Sequence, residues 1–234
     1  MSLTAGTLPV IGDGPAEERR AFLKQAILLT VGGLFIASLM GVLSAFFVAP
    51  MVFQSIGGLG AILVIFGGWF LVNTVFRNMV YGRMKWLGFI GGAAIEGLMF
   101  GFLLLITVAK LGVDNGMLLV AEAMGLTFLT VLGLFVYSWF STGELSLVRA
   151  GLAMTSLPML LLMFSLPFLP IGGLLGVALA AVFVLVSAAG LLYQIHQITH
   201  EVDSSMKVEA AFEMTIGILV LLWNITQLLS FSRD

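Results

Sequence analysis

The chain contains no cysteine. Disulfides, thiolate catalysis and cysteine-ligated metals are therefore excluded, and the missing cysteines say nothing about compartment. Charge is scarce as well. Asp, Glu, Lys and Arg make up 9% of the 234 residues, against roughly 25% in a soluble domain, too few to cover a water-soluble body. The formal net charge of −2 supplies no basic footprint for nucleic acid. There is no Walker loop, no HExxH and no Gly-x-Ser-x-Gly, so neither an ATPase nor a hydrolase is expected and the chain reads as non-enzymatic, with no cofactor. Residues 1–20 carry Asp13, Glu17, Glu18, Arg19 and Arg20 and lack the basic-then-apolar order of a cleaved signal peptide. Residues 1–23 read as a polar cytoplasmic tail.

Hydrophobic residues make up 60% of the chain, and mean hydropathy is +1.16. This points to an all-α membrane protein, because a backbone in hydrocarbon must satisfy its own hydrogen bonds. Residues 24–234 read as one transmembrane domain of seven helices. From Gln25 to Phe76 there is no charge. That run is long enough for two spans, with Pro50 where a turn is needed, giving helices over about 25–49 and 54–76. Arg77, Arg83 and Lys85 follow in a basic loop. A third helix is expected over about 86–109, a turn at Leu111–Gly116 marked by Asp114-Asn115-Gly116, and a fourth helix over about 117–140. Ala150 to His200 again lacks Asp, Glu, Lys and Arg, and Pro167 and Pro170 divide it into helices over about 147–166 and 172–195. The last helix, about 208–230, carries Glu213, Asn224 and Gln227 and is the least apolar. Each of the others meets the requirement of about 20 mainly apolar residues. With the N-terminus inside, Arg19, Arg20, Lys24, Arg77, Arg83, Lys85, Arg149 and Lys207 fall on the inner side and only Lys110 and Arg233 on the outer. The positive-inside rule then sets the N-terminus inside and the C-terminus outside. Gly97-xxx-Gly101 fits close approach of two helices.

Glu96 is the sharpest candidate for chemistry. It sits near the middle of the third helix, about 15 Å from either end, where an acid costs about 2.5–3.5 kcal/mol. It has to face the bundle interior, carry a proton or find a donor. It can serve as a proton or cation site, or as a neutral carboxyl bonded to a neighbouring helix. Glu122, Glu213 and His196 are further ion or proton candidates. Glu122 also reads as an interfacial carboxylate. Glu209 and Glu213 lie one turn apart at the inner end of the last helix, and His196 and His200 share a face at the inner end of the sixth. These four can converge at an inner mouth beside Lys207, or simply be solvated helix ends. His196, His200 and Glu201 have the i, i+4 spacing of a metal pair but no clear third ligand, and no metal site is assigned. Gln194 and Asn224 read as interhelical hydrogen-bonding amides. The last helix has no lysine beyond its start, which leaves a retinal Schiff base no attachment point.

Several segments resemble the Bax-inhibitor family, especially its bacterial YccA-like branch: Arg20-Ala-Phe-Leu-Lys24 leading into an apolar run, Ala121-Glu-Ala-Met-Gly-Leu-Thr-Phe128, Gly143-Glu-Leu-Ser146, Ser187 to Ile198 with Tyr193-Gln194, and Leu228 to Asp234. The resemblance implies a seven-helix bundle with the last helix near the centre, a bacterial inner (plasma) membrane location (an organelle membrane being the alternative), and one of two roles. One is that of a partner and modulator of the membrane-anchored AAA protease FtsH or its scaffold. The other is a pH-sensitive cation or calcium leak. The family's leak is attributed to paired aspartates in the sixth and seventh helices. The corresponding positions here are Gln194 and either Gly217 or Leu221, none of which ionises, so the latch is absent. That favours the protease-partner reading and leaves Glu96 to carry an ion-leak or proton-linked alternative. A third reading is a structural subunit of a larger membrane complex. Apart from the lipid bilayer, the sequence fixes neither partner nor oligomeric state.

Overall fold

The computed structural model describes residues 16–140, 173–200, 202, 203 and 205–233. The expected fifth helix, 147–166, and the Gly143–Ser146 segment lie outside them. The described residues form α1 (Ala16–Leu43), a π-helical turn (Ser44–Val48), α2 (Ala49–Leu71), a second π turn (Val72–Phe76), α3 (Arg77–Val80), α4 (Lys85–Leu111), α5 (Val113–Phe140), α6 (Gly173–His200) and α7 (Lys207–Ser232). Five stretches are long and apolar enough to cross a membrane: Arg20–Val80, Lys85–Leu111, Val113–Ser138, Gly173–His200 and Lys207–Ser232.

The first of these has 61 residues. A straight helix of that length would measure about 90 Å, three times the hydrocarbon thickness. The chain instead breaks at Gly57, with φ 68° and ψ −172°, a conformation open essentially to glycine alone. Before the break, Gly33 lies against Phe89, Ala37 against Gly97 and Ser44 against Gly101, so α1 runs parallel to α4. After it, Gly68 lies against Met99 and Ile95, and Phe76 against Gly88 and Gly91, so this limb runs antiparallel to α4. The reversal is therefore at Gly57 and not at Pro50. Proline needs no turn at position 50 because it occupies the first turn of α2, directly after a π turn where the regular i→i−4 ladder is already interrupted.

The turn between α4 and α5 also differs from expectation. Gly112 alone makes it, at φ 79°. Asp114 falls in the first turn of α5, where a carboxylate complements the positive helix end. α6 continues to His200, past the expected end.

Small residues set the packing of α4 on α1. A methyl group at Gly97 would collide with the backbone of Ala37, and one at Gly101 with Ser44 and the Gly41 carbonyl. The Ser44 hydroxyl donates to the Leu98 carbonyl at 2.7 Å. The Gly97-xxx-Gly101 pattern is thus a close-approach surface.

α7, the least apolar helix by sequence, is the most enclosed. It packs against α1, α4, α5 and α6 and buries Asn224, Thr226 and Gln227, because its polar residues face neighbouring helices and not lipid. It runs parallel to α4: Lys85 meets Glu209 at one end, Phe100 meets Trp223 part-way along, and Lys110 sits over the Phe231 ring at the other. The C-terminal Arg233 pairs with Glu122 at that second end. Ser138 of α5 meets Thr199 of α6 at 3.2 Å. The last residues of α5 are therefore level with the last residues of α6, and α6 begins at the opposite face.

Candidate functional site

Glu96 projects from the face of α4 that meets α7. One turn before it, Gly92 receives the Phe212 ring. One turn after it, Phe100 meets Trp223 with ring centroids 6.4 Å apart. The side chain is 6% exposed, and its Oε1 has no hydrogen-bond partner. Among the described residues no cation reaches it. Of the alternatives open to this acid the structure shows an inward-facing one, and among the described residues no neighbouring helix donates a hydrogen bond to its Oε1.

Other polar groups in the core are also unsatisfied. Asn224, next to Trp223 on α7, is 1% exposed, and neither its Nδ2 nor its Oδ1 has a partner. The interhelical amide bond expected of it is therefore not formed with any described residue. Gln194 Oε1 is likewise without a partner and lies over Gly217, where an added methyl would strike it. A buried polar atom left unpaired costs about 1–3 kcal/mol. Such atoms in a native interior call for a ligand, an ion, a water or a proton.

The end of the bundle near residue 81 has a different construction. Arg77 Nη2 is 2.8 Å from Glu213 Oε1, and the Tyr81 hydroxyl donates to the same oxygen at 3.1 Å. Lys85 pairs with Glu209, whose side chain is buried and whose Oε2 has no partner. Partial burial, then the charge and hydrogen bond of Glu213, push the Tyr81 phenol up to about 12. Glu213 and Glu209 thus belong to an ion-paired corner, with cations from α3 and α4 and not from Lys207. The signal in the sequence was the Arg77-to-Lys85 basic cluster facing two acids one turn apart, but only the parallel packing of α4 and α7 brings them together. Glu122 is half-exposed and paired with Arg233, which removes it from the set of free acids. His196 is buried and stacks on His200 with centroids 4.3 Å apart. The His200 Nδ1 lies 2.8 Å from the Thr199 hydroxyl, and Thr199 meets Ser138. The Ser138–Thr199 contact links α5 to α6, and His200 braces the Thr199 hydroxyl from within α6. Among the described residues no three His, Asp or Glu side chains gather where a metal ion could sit.

A family model described as "Inhibitor of apoptosis-promoting Bax1" matches residues 19–234. The chain belongs to the Bax inhibitor family. No curated protein matches it. For a Bax inhibitor family member, the contact between Gln194 and Gly217 is the point of interest. Of the two seventh-helix positions that the resemblance offered, Gly217 is the one that faces Gln194. Neither residue ionises, so this face of the core can hold no carboxylate pair. Tyr193, the third signature position, is half-buried beside it on α6. Among the described residues, the buried acid without an ion pair is Glu96, on α4.

Proposed function

We propose that this Bax inhibitor family protein is a seven-span bundle of the bacterial inner membrane, N-terminus inside and C-terminus outside, that conducts protons or cations in a pH-dependent way through Glu96. The seven-span count is supported by the reversal at Gly57 and by the opposite faces at which α5 ends and α6 begins. The orientation is supported by the lysine and arginine bias. The observation that carries the function is a carboxyl group buried between α4 and α7 whose Oε1 has no partner among the described residues. Intramembrane acids without a structural partner mark proton and ion pathways. Asn224 adds an unsatisfied amide on the facing helix.

Flux of protons and of calcium into proteoliposomes, measured from pH 5 to 8, tests this. Wild type is expected to show pH-dependent flux and Glu96→Gln to lose at least tenfold of it. Equal flux in the two proteins removes Glu96 from the function.

A second reading, a non-enzymatic partner of a membrane AAA protease, is favoured by the Gln194–Gly217 apposition, where no ionisable latch can form. Mild-detergent purification that brings down such a protease in stoichiometric amount, with a silent flux assay, would put this reading first.

A further inference from the structure

α1, α5 and α7 enclose a groove of about 910 Å³, near the top of the range of roughly 300–1,000 Å³ seen in small-molecule sites. Leu28 and Val31 of α1 form one wall, Phe128 and Leu132 of α5 the other, and Ile218 and Leu222 of α7 the floor. The wall residues are exposed, while Leu222 is buried. The groove therefore reaches the central helix from outside the bundle. Two of its hydroxyls are already used inside their own helices: Thr30 donates to the Ala26 carbonyl at 2.8 Å and Thr127 to the Ala123 carbonyl at 2.7 Å. Ser38 is the remaining hydroxyl among the described lining residues. A trough so poor in free polar groups suits hydrocarbon and not water or an ion.

One end of the groove is different. Arg20 and Lys24 line it there, one turn apart on α1. Both are exposed, and neither has an ion pair among the described residues. Phe22, Leu23 and Ala26 pack nearby against Ile198, Ala210 and Met214, which places the two cations at the same end of the bundle as Glu209. Cations at a helix end beside a lipid-facing trough complement a negatively charged headgroup. The Ile27-to-Ser38 stretch of α1 along the trough is about 16 Å long, enough for most of an acyl chain. A helix from a second copy could fill the trough but brings no phosphate to the two cations.

We propose that this groove is a binding site for one anionic phospholipid, its phosphate on Arg20 and Lys24 and an acyl chain lying against α7. The site is separate from Glu96 and does not depend on ion conduction.

The test uses the full-length protein reconstituted in phosphatidylcholine vesicles containing a minority of phosphatidylglycerol, extracted in mild detergent and examined by native mass spectrometry. Wild type is expected to retain one phosphatidylglycerol in preference to phosphatidylcholine. Arg20→Gln with Lys24→Gln is expected to lower that preference at least tenfold, from roughly fivefold for each cation near an anionic surface. Ser38→Trp, an exposed position that fills the trough, is expected to lose the bound lipid while the protein stays monodisperse. Arg83→Gln, an exposed cation elsewhere, serves as control and is expected to change nothing. Equal retention of the two lipids by wild type overturns the proposal. So does a preference that survives the double substitution, an equal loss in the Arg83→Gln control, or a lipid-free dimer that Ser38→Trp dissociates.

Discussion

The middle of the bundle and the end around Tyr81 both hold carboxylates, and they treat them in opposite ways. At the end, Glu213 meets Arg77 and Tyr81, and Glu209 meets Lys85. In the middle, Glu96 meets no cation among the described residues, and the positions one turn to either side of it, Gly92 and Phe100, meet the rings of Phe212 and Trp223. The difference follows from depth. Arginine and lysine heads are stable near the interface, where they reach water and headgroups. At mid-bilayer a cation is as expensive as the acid it would pair with. Under the proposed function the mid-bilayer acid is the one that exchanges a proton or an ion, whereas an acid at the end is fixed as a brace between α7 and the α3–α4 corner.

Three changes would break or sharpen this contrast. The largest effect is expected in the middle. Gly97→Val places side-chain atoms where the Ala37 backbone lies. Forcing bulk into a close-packed core costs about 1–3 kcal/mol or more, and because backbone cannot swing aside, the upper end is expected. α1 would part from α4, and Glu96 would be opened to its surroundings. A drop in the thermal unfolding midpoint of the detergent-solubilised protein, measured by differential scanning fluorimetry, reads this out. An unchanged midpoint would mean that the α1–α4 contact is not the support of the Glu96 site.

An intermediate effect is expected at the end. Lys85→Ala strands the buried Glu209 carboxylate. Removing one member of a fully buried pair costs about 3–5 kcal/mol. Lys85 is 41% exposed, so water offsets much of that, and about 1–2 kcal/mol is expected. Glu209→Gln in the same protein is expected to restore most of the loss, because no charge is left unpaired. Failure of that rescue would show that Lys85 acts through its hydrocarbon stem and not through the pair.

The smallest effect concerns Tyr81. Its phenol ionises at about 12 in the folded protein against about 10 in an unfolded chain, so the neutral form is favoured by folding. The stability this provides is complete below pH 10 and disappears as pH rises from 10 to 12. Spectrophotometric titration of wild type against Tyr81→Phe should show one phenol missing from the late phase near pH 12. If the late phase persists in Tyr81→Phe, the hydroxyl is not held by Glu213 in solution.

Much of this was legible from residues alone, for identifiable reasons. The bounds of α4, α5, α6 and α7 lie within a few residues of the hydropathy reading, because insertion into lipid is decided by about 20 consecutive side chains. The burial of Glu96 was among the outcomes legible from its mid-helix position, because a charged carboxylate facing lipid there needs a proton or a donor. The turn in the first long apolar run was misplaced: proline signals an interrupted ladder, but a reversal requires a backbone conformation that Gly57 can adopt and a nearby proline cannot supply. The partners of Glu122, Glu209 and Glu213 were not legible, since each cation lies far away in the chain.

The sequence by itself determined that this chain is a membrane protein, which of the described segments are helical, and that Glu96 would be costly in lipid, all of them properties of local composition measured against lipid. Tertiary structure decided which neighbours enclose the most polar helix, α7, that Gly217 is the position facing Gln194, and that Glu213 is braced while Glu96 meets no cation among the described residues. Those facts depend on which helices run parallel and at what depth they meet. Glycine-sized gaps and interhelical contacts set that arrangement, and neither is encoded in any single span.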